Sequence, residues 1–229
     1  ENLGQFMRRF NEAYSPDRLS KIQRVVAVAA SHHRLLWIHP FLDENGRVTR
    51  LMSYAVLLRE SIGSSLWSIA RGLARNIIEY KRLLLEADEP RKGALDGRGS
   101  LSEKNLISFC RFFLKACIDQ IDYMNSLLKL NEFIPRLERY TNEEILKKNI
   151  HKGSFFILRE AFIMGELDRS RAMELSGYTD RMAREVISTL IKKKLLTSTN
   201  QKDKLRLGFP LDAALRWLPG LYPEMNLSE

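Results

Sequence analysis

Hydrophobic positions recur at helical spacing along most of the chain. The spacing predicts helices over 3–14, 20–38 and 45–61, one or two helices over 64–88, and a long helix from 102 to about 130. The helix over 20–38 is rich in alanine and valine, which predicts burial on most sides, with one face formed by Ile22, Val25, Val26, Ala29 and Ala30. Likewise we expect the helix over 45–61 to pack through Leu51, Tyr54, Ala55 and Leu58.

The pattern changes twice towards the carboxyl end. Residues 89–99 are polar and hold three glycines and a proline, which predicts a loop. A second group begins near Thr141, with helices over 149–165, 167–175 and 179–193 and two alternating segments that predict short strands over 195–198 and 205–209. Helix, helix, turn, helix and hairpin is the order of a winged helix. We therefore predict an all-α domain over residues 1–140 and a small α+β winged helix-turn-helix domain over 141–229.

The composition excludes several classes of protein. The chain is 45% hydrophobic and 28% charged and has no apolar run of membrane-spanning length, which excludes disordered, collagen-like and transmembrane chains. The first residues do not resemble a signal peptide, and no initiator methionine is present, so we expect a fragment. Cys110 and Cys117 lie about 10 Å apart if helical, too far for a disulfide, so a reducing, cytoplasmic location is expected.

The net charge of +9 favours contact with nucleotides or polyanions. The segment from Asn142 to Glu229 holds 15 basic and 12 acidic residues and so contributes only +3 of this charge. DNA binding through a winged helix stays open, as does a protein-docking role. The residues that could contact DNA are Arg181, Arg184, Lys192, Lys193, Lys194, Lys202, Lys204 and Arg206. The three consecutive lysines could equally complement the dipole at the end of a helix.

The densest candidate chemistry lies between residues 38 and 50, where one predicted helix ends and the next begins. The start of a helix offers free backbone N–H groups, and Gly46 would let a phosphate approach them closely. Arg47 and Arg50 are three residues apart and share a face, so both could reach one polyphosphate.

Two further residues of this segment suit a transfer reaction. Asp43 could hold Mg²⁺ through one carboxylate, and His39 could take a proton from an incoming hydroxyl near neutral pH. These residues together predict transfer of a phosphate-bearing group from a nucleotide to an alcohol. His32 and His33 are spaced wrongly for a metal pair with His39, so a structural or solvent-exposed role is expected.

At these residues the sequence resembles the Fic family, also known as Fic/Doc or Fido. The family signature is His-x-Phe-x-(Asp/Glu)-(Gly/Ala)-Asn-(Gly/Lys)-Arg-x-x-Arg, and the matching residues are His39, Phe41, Asp43, Asn45, Gly46, Arg47 and Arg50. The surrounding helices, from about 3 to 130, look like most of the Fic helical core. The resemblance implies transfer of AMP from ATP to a Ser, Thr or Tyr hydroxyl of a target protein, with Mg²⁺ as the metal.

The resemblance also implies a role for each residue. His39 would be the base, Asp43 the Mg²⁺ ligand, and Phe41 a buried anchor for the loop. The phosphates would be held by Asn45, Gly46, Arg47 and Arg50. Tyr80 resembles an aromatic residue that lines the adenine site in the family.

The sequence departs from the family at two points that bear on phosphate binding and target docking. Glu44 stands where the family has a small residue, and its charge and Cβ should disfavour phosphate binding. Its side chain could weaken ATP binding, turn to solvent, or pair with Arg47 or Arg50 and close the site. Nothing strand-like precedes Leu3, so we expect this chain to lack the upstream flap that docks the target in the family.

Three alternatives stay open at this point. The chain could be a Fic-fold regulator whose catalysis is weakened by Glu44 and whose winged helix binds DNA or a protein partner. It could instead remove AMP from a target by hydrolysis, as some family members do. A homodimer is also compatible with the sequence, whereas a membrane partner is not expected.

Overall fold

The computed structural model describes residues 2–63, 66–200 and 203–221. Within these ranges the chain forms eleven α-helices and one antiparallel sheet of two short strands, so the predicted helical character is confirmed. No helix in the described ranges combines the length and apolarity needed to cross a membrane. The chain divides into two compact units, Glu1–Met124 and Asn125–Glu229.

All regular elements in the described part of the first unit are helices, and two isolated β-bridges lie in the loop before the last of them. A single 3₁₀ turn, Pro16–Arg18, follows its first helix. The α-helices are α1 (Leu3–Ala13), α2 (Lys21–Ile38), α3 (Asn45–Arg59), α4 (Ile69–Arg75), α5 (Ile77–Ala87) and α6 (Glu103–Leu127), the last of which runs a few residues beyond the unit. Ser64, where we placed the start of a helix, lies outside the described residues.

Helix α2 begins with a capping box. The Gln23 N–H donates to Ser20 Oγ and the Ser20 N–H donates to Gln23 Oε1, so two N–H groups at the helix start are satisfied. Its burial differs from the expectation: Ile22 is 78% exposed, and the buried stretch starts only at Val28. The alanine and valine content therefore predicted burial correctly for the second half of the helix and wrongly for the first.

The buried stripe of α3 is mostly polar. The residues on it recur every four positions, one turn of helix apart: Asn45, Thr49, Ser53 and Leu57. Leu51 and Leu58, which we expected to pack, are exposed instead. Polar groups are buried only when they find hydrogen-bond partners, so this stripe points to a bonded network beneath the helix.

The predicted loop between α5 and α6 is confirmed and is organised by one carboxylate. Asp96 accepts hydrogen bonds from the N–H groups of Lys92 and Lys104 and from the Ser102 hydroxyl. These bonds lower the pKa of Asp96 to about 2. After it, α6 buries Phe109 and Phe113 in the core of the unit. Cys110 and Cys117, both on α6, are free thiols, as predicted.

The second unit combines helices with the small sheet. Its α-helices are α7 (Leu130–Leu146), α8 (Ser154–Met164), α9 (Arg169–Ser176), α10 (Asp180–Lys192) and α11 (Leu211–Trp217). Strands β1 (Leu196–Thr197) and β2 (Arg206–Leu207) are antiparallel, with Leu196 opposite Leu207 and Thr197 opposite Arg206. Trp217 of α11 is fully buried and lies edge-on to Phe133 and Tyr140 of α7.

The division of the chain differs from the predicted boundary. We placed that boundary between residues 140 and 141, which is inside α7, whereas the structure has it after Met124. Phe133, Leu137 and Tyr140 of α7 have helical spacing and are buried, and the helix includes Pro135. The predicted order of helix, helix, turn, helix and hairpin is present from α8 to β2, and its assignment as a winged helix stays a prediction.

Candidate active site between α2 and α3

The loop between α2 and α3 begins and ends with residues in left-handed backbone conformation. His39 follows α2 with φ 54°, and its N–H donates to the Leu35 carbonyl as the helix ends. Glu44 precedes α3 with φ 66°. This region of backbone space favours glycine because a Cβ is crowded there. The position where the Fic signature has a small residue is thus one where the backbone itself favours glycine.

Asn45 fixes the middle of the loop. Its Oδ1 accepts the Phe41 N–H at 3.0 Å, and its Nδ2 donates to the Phe41 carbonyl at 2.7 Å. The side chain is buried and satisfies both backbone groups of Phe41. Phe41 itself is 49% exposed, so the expectation of a buried anchor is wrong. The loop is held through its backbone by Asn45 rather than by burial of the phenylalanine ring.

The loop and the start of α3 line a cavity of about 330 Å³. Seven of the predicted residues line it together with Leu36, and they are His39, Asp43, Glu44, Asn45, Gly46, Arg47 and Arg50. Tyr80 is not one of the lining residues. The structure therefore brings together, around one cavity, the candidate residues that the sequence placed within twelve positions.

The amino end of α3 supplies backbone donors to this cavity. The first hydrogen bond of the helix runs from the Val48 N–H to the Glu44 carbonyl at 3.0 Å. The N–H groups of residues 45–47 come before it and have no acceptor within the helix. With the helix dipole, these groups favour an anion at this position.

Arg50 lies directly over Gly46. A Cβ built on Gly46 would come within 3.2 Å of Arg50 Nη1, so the guanidinium occupies the space that a side chain at position 46 would need. A side chain at this position would require the Arg50 guanidinium to shift by a few tenths of an ångström. Gly46 thus leaves room both for an anion and for the arginine that would bind it.

Glu44 pairs with Arg47. The distance from Glu44 Oε2 to Arg47 Nε is 2.9 Å, and both side chains are well exposed. Of the three behaviours considered for Glu44, the structure has the pair with Arg47. An exposed pair of this kind contributes at most about 1 kcal/mol to stability. It nevertheless engages the guanidinium of Arg47, which lines the cavity.

Asp43 has a geometry compatible with Mg²⁺. One carboxylate oxygen, Oδ1, accepts the Glu44 N–H at 2.6 Å, and the described part of the chain offers no partner to the other. No group of three or more His, Cys, Asp or Glu side chains in that part could hold a metal. Mg²⁺ is commonly bound by one carboxylate with substrate phosphates and water, so Asp43 fits that mode of binding.

The remaining predicted site residue, Tyr80, lies in the core. It is only 5% exposed, and its hydroxyl is 2.8 Å from His32 Nε2. This position does not support the expected role beside adenine. His32 is fully buried, and burial, with a smaller effect from the charge of Arg50, lowers its pKa to about 3.

His33 is also buried, which agrees with the structural role considered for both histidines in the sequence analysis. Its Nε2 lies 2.9 Å from Asp88 Oδ1. Burial lowers the pKa of His33 to about 4, although Asp88 acts in the opposite direction. His32 and His33 are therefore neutral residues of the core at physiological pH.

Comparison with known proteins agrees with this site. Residues 1–57 match the Fic/DOC family. Protein adenylyltransferase Fic of Drosophila erecta and that of Drosophila willistoni are each 36% identical to this chain over 58 residues, and that of Drosophila grimshawi is 34% identical. The aligned segment is 25% of this chain and spans 12% of the length of each of these relatives. The family resemblance is thus confirmed for residues 1–57, and this segment contains the loop and every residue that lines the cavity.

Proposed function

We propose that the chain transfers AMP from ATP to a Ser, Thr or Tyr hydroxyl of a target protein. The observation that carries this proposal is the cavity at the start of α3, which collects an imidazole, two carboxylates, two guanidinium groups and three N–H groups without an acceptor in the helix. This combination suits a polyphosphate beside a proton acceptor.

The phosphates of ATP would bind at the amino end of α3. The N–H groups of residues 45–47 would donate to them, and Arg47 and Arg50 would balance their charge. Asn45 contributes only its backbone N–H to this set, because its side chain is bonded to Phe41. The Asn45 side chain therefore acts by holding the loop that carries His39 and Asp43.

The proposed metal is Mg²⁺, and Asp43 is the residue that would hold it. When bound, Mg²⁺ would neutralise charge on the phosphates and fix their orientation. Asp43 accepts a hydrogen bond from the Glu44 N–H, which fixes the carboxylate relative to the start of α3.

In the proposed chemical step, His39 accepts the proton of the target hydroxyl. The hydroxyl oxygen forms a bond to the α-phosphorus of ATP as the bond between that phosphorus and the bridging oxygen breaks. The electron pair leaves with pyrophosphate, and AMP remains on the target. His39 suits this role because it is exposed, lines the cavity and lies one loop away from the phosphate-binding helix end.

We further propose that Glu44 mutes this reaction. Its carboxylate adds a negative charge where phosphates would bind and occupies Arg47. Both effects would weaken ATP binding before any chemistry takes place.

Self-modification with ATP labelled at the α-phosphate, in the presence of Mg²⁺, tests the proposal. We expect weak label on the parent chain, more on Glu44→Gly, and none on Glu44→Gly combined with His39→Ala. Arg216→Ala serves as a control that removes an arginine of the second unit and leaves the cavity intact. Equal label with and without His39 would contradict the assigned base, and failure of Glu44→Gly to bind Mg²⁺-ATP would contradict the proposal.

A second candidate function concerns the second unit, in which α8 to β2 have the order of a winged helix. Arg181 and Arg184 are exposed on α10, and the described residues provide no ion pair for either. In the hairpin, by contrast, Arg206 and Lys204 both pair with Glu166. Lys202 lies outside the described residues. These contacts favour α10 over the hairpin as the surface for DNA, in a chain that would act as a regulator.

Binding of mixed-sequence duplex DNA over a range of salt concentrations tests this candidate. Loss of Arg181 and Arg184 together should reduce the slope of log affinity against log salt by about 2. Arg171→Ala is the control, because Arg171 pairs with Glu174 on α9. No binding at low salt would exclude DNA and leave a protein partner as the alternative.

A further inference from the structure

The second unit holds a cavity of about 740 Å³, more than twice the volume of about 330 Å³ at the start of α3. It is lined by residues of α9, of α10 and of the turn that follows β1. A volume of this size is typical of sites for small organic ligands. None of the residues assigned to AMP transfer lines it, so it is a separate candidate site.

One face of α10 forms a wall of the cavity. Four lining residues recur at spacings of three and four and so share one side of the helix: Arg184, Ile187, Ser188 and Ile191. Ile187 is buried, and Met173 of α9 also lines the cavity, so its apolar part comes from two helices. The cavity therefore offers a cation beside an apolar wall.

Arg169, the first residue of α9, is the second cation of the cavity. Its Nε donates to the Asp203 carbonyl at 3.2 Å. Its Nη2 donates to Ser198 Oγ at 3.1 Å and to the Asn200 carbonyl at 3.4 Å. These acceptors are neutral, so they fix the guanidinium without balancing its charge. Among the described residues Nη1 has no hydrogen-bond partner, which leaves its two protons for a ligand.

The positive charge of the cavity is not balanced by its own residues. As far as the chain is described, the lining includes two arginines and no acidic residue. Arg171 and Arg206 of the same unit each pair with a glutamate, whereas the described residues provide no ion pair for Arg169 or Arg184. A guanidinium with free N–H groups binds a carboxylate through two parallel hydrogen bonds, and Arg184 is placed to do so.

We propose that this cavity binds an organic carboxylate with an apolar body. The carboxylate would accept hydrogen bonds from Arg184 and from Arg169 Nη1, and the body would lie on the apolar side chains of α9 and α10. The inference depends neither on AMP transfer nor on DNA binding. A DNA backbone suits the cavity less well, because it supplies anions but no apolar group to cover Met173, Ile187 and Ile191.

Calorimetric titration of the full chain with straight-chain carboxylates, from butanoate to octanoate, tests the proposal. Affinity should rise about fourfold with each added methylene, because each one leaves water for the apolar wall. Octanol has the same body without the charge and should bind roughly tenfold more weakly than octanoate. Affinity that does not depend on chain length would overturn the proposal, as would equal binding of octanol.

Arg184→Gln should weaken octanoate binding about tenfold, the effect expected when a charged hydrogen-bond partner is lost. Arg181→Gln is the matched control, because it makes the same change of charge one turn earlier on α10, at an exposed residue outside the cavity lining. Equal losses in the two variants would overturn the proposal, since they would reflect the overall charge of the helix rather than a site.

Ser188→Trp is a second variant, and it leaves both arginines in place. Ser188 is exposed and lines the cavity, so a large side chain there should fill the site and reduce octanoate binding without unfolding the chain. Ser170→Trp, at an exposed residue of α9 outside the cavity lining, is its control. Unchanged octanoate affinity in folded Ser188→Trp would overturn the proposal.

Methyl NMR of the full chain locates the bound ligand. Octanoate should shift the methyl resonances of Met173 and Ile191, and it should leave those of Ile157, which is buried in α8, unchanged. No shift at Ile191 would overturn the proposal. Shifts of these same methyl groups on addition of duplex DNA, with no response to octanoate, would assign the two arginines to the phosphate backbone and would overturn it as well.

Discussion

Glu44 Oε2 and Arg47 Nε lie 2.9 Å apart at the amino end of α3, and Glu44 stands where the Fic signature has a small residue. The backbone of Glu44 is at the same time left-handed, with φ 66°. One residue therefore carries both a conformational strain and a charge at the proposed phosphate site, and different substitutions can separate the two.

Glu44→Gly should stabilise the chain and strengthen Mg²⁺-ATP binding. Relief of the left-handed strain should raise the free energy of unfolding by about 1 kcal/mol, offset slightly by the lost pair with Arg47. Glu44→Gln is the matched control, because it keeps the Cβ and removes the charge. It should improve ATP affinity with no gain in stability; a stability gain equal to that of glycine would show that strain is not the cause.

Asn45→Ala should loosen the loop. It removes two hydrogen bonds to the Phe41 backbone from a buried position, and we expect a loss of roughly 1–3 kcal/mol in urea unfolding. ATP affinity should fall as well, because the loop carries His39 and Asp43. Asn76→Ala, which removes one bond to the Gly72 carbonyl at an exposed site, should change neither property much.

Mild acid should destabilise the first unit. The pKa of His32 is about 3 when folded against an ordinary value of 6.5, so the unfolded chain binds the proton first as the pH falls. Stability should be constant above about pH 7 and should decline between about pH 6 and 3, by up to roughly 1.4 kcal/mol per pH unit for this residue. Urea unfolding at several pH values measures this decline.

His32→Gln should flatten the decline, even if it lowers stability at pH 7. His151→Gln, in the second unit, should leave the decline unchanged. His33, with a folded pKa of about 4, should supply part of the remaining dependence. An identical decline in His32→Gln would contradict a buried neutral His32.

Two glycines of the second unit should respond very differently to alanine. Gly153 has φ 86°, and a Cβ there would lie 2.2 Å from the Ser176 carbonyl oxygen, so Gly153→Ala should destabilise the chain by about 3 kcal/mol. Gly177 has φ 72° with nothing near its Cβ position, so Gly177→Ala should lower stability by only about 1 kcal/mol. Thermal unfolding of the pair measures the difference, and equal losses would show that the contact relaxes.

Helical spacing predicted most elements because the apolar residues of α6 and α10 face their cores. It failed where burial is polar: α3 buries Asn45, Thr49 and Ser53, and a pattern of leucines predicted the wrong face. No helix was predicted between residues 130 and 149, where the structure has α7; the spacing of Phe133, Leu137 and Tyr140 is the signal that could have indicated it. On α2, the local pattern does not predict which apolar side chains are buried against another element and which stay exposed.

The residues of the cavity could be predicted because they are close together in the chain. Their individual environments could not, because these depend on distant partners. Tyr80 is 48 positions from His32, and only the fold brings the two together. Phe41 is exposed, and Asn45 rather than the phenylalanine ring holds the loop through the Phe41 backbone; the residue types of the motif reveal neither fact.

The polar stripe of α3 has a consequence for the direction in which its donors point. A helix packed through leucines can rotate slightly about its axis, since apolar contacts have little directional preference. Asn45 instead bonds the Phe41 carbonyl in the loop before the helix, and Ser53 bonds His32 of α2. Hydrogen bonds of this kind weaken steeply when the angle changes. The rotation of α3 about its own axis is therefore fixed, and with it the direction of the three N–H groups and of Arg50 at the mouth of the cavity.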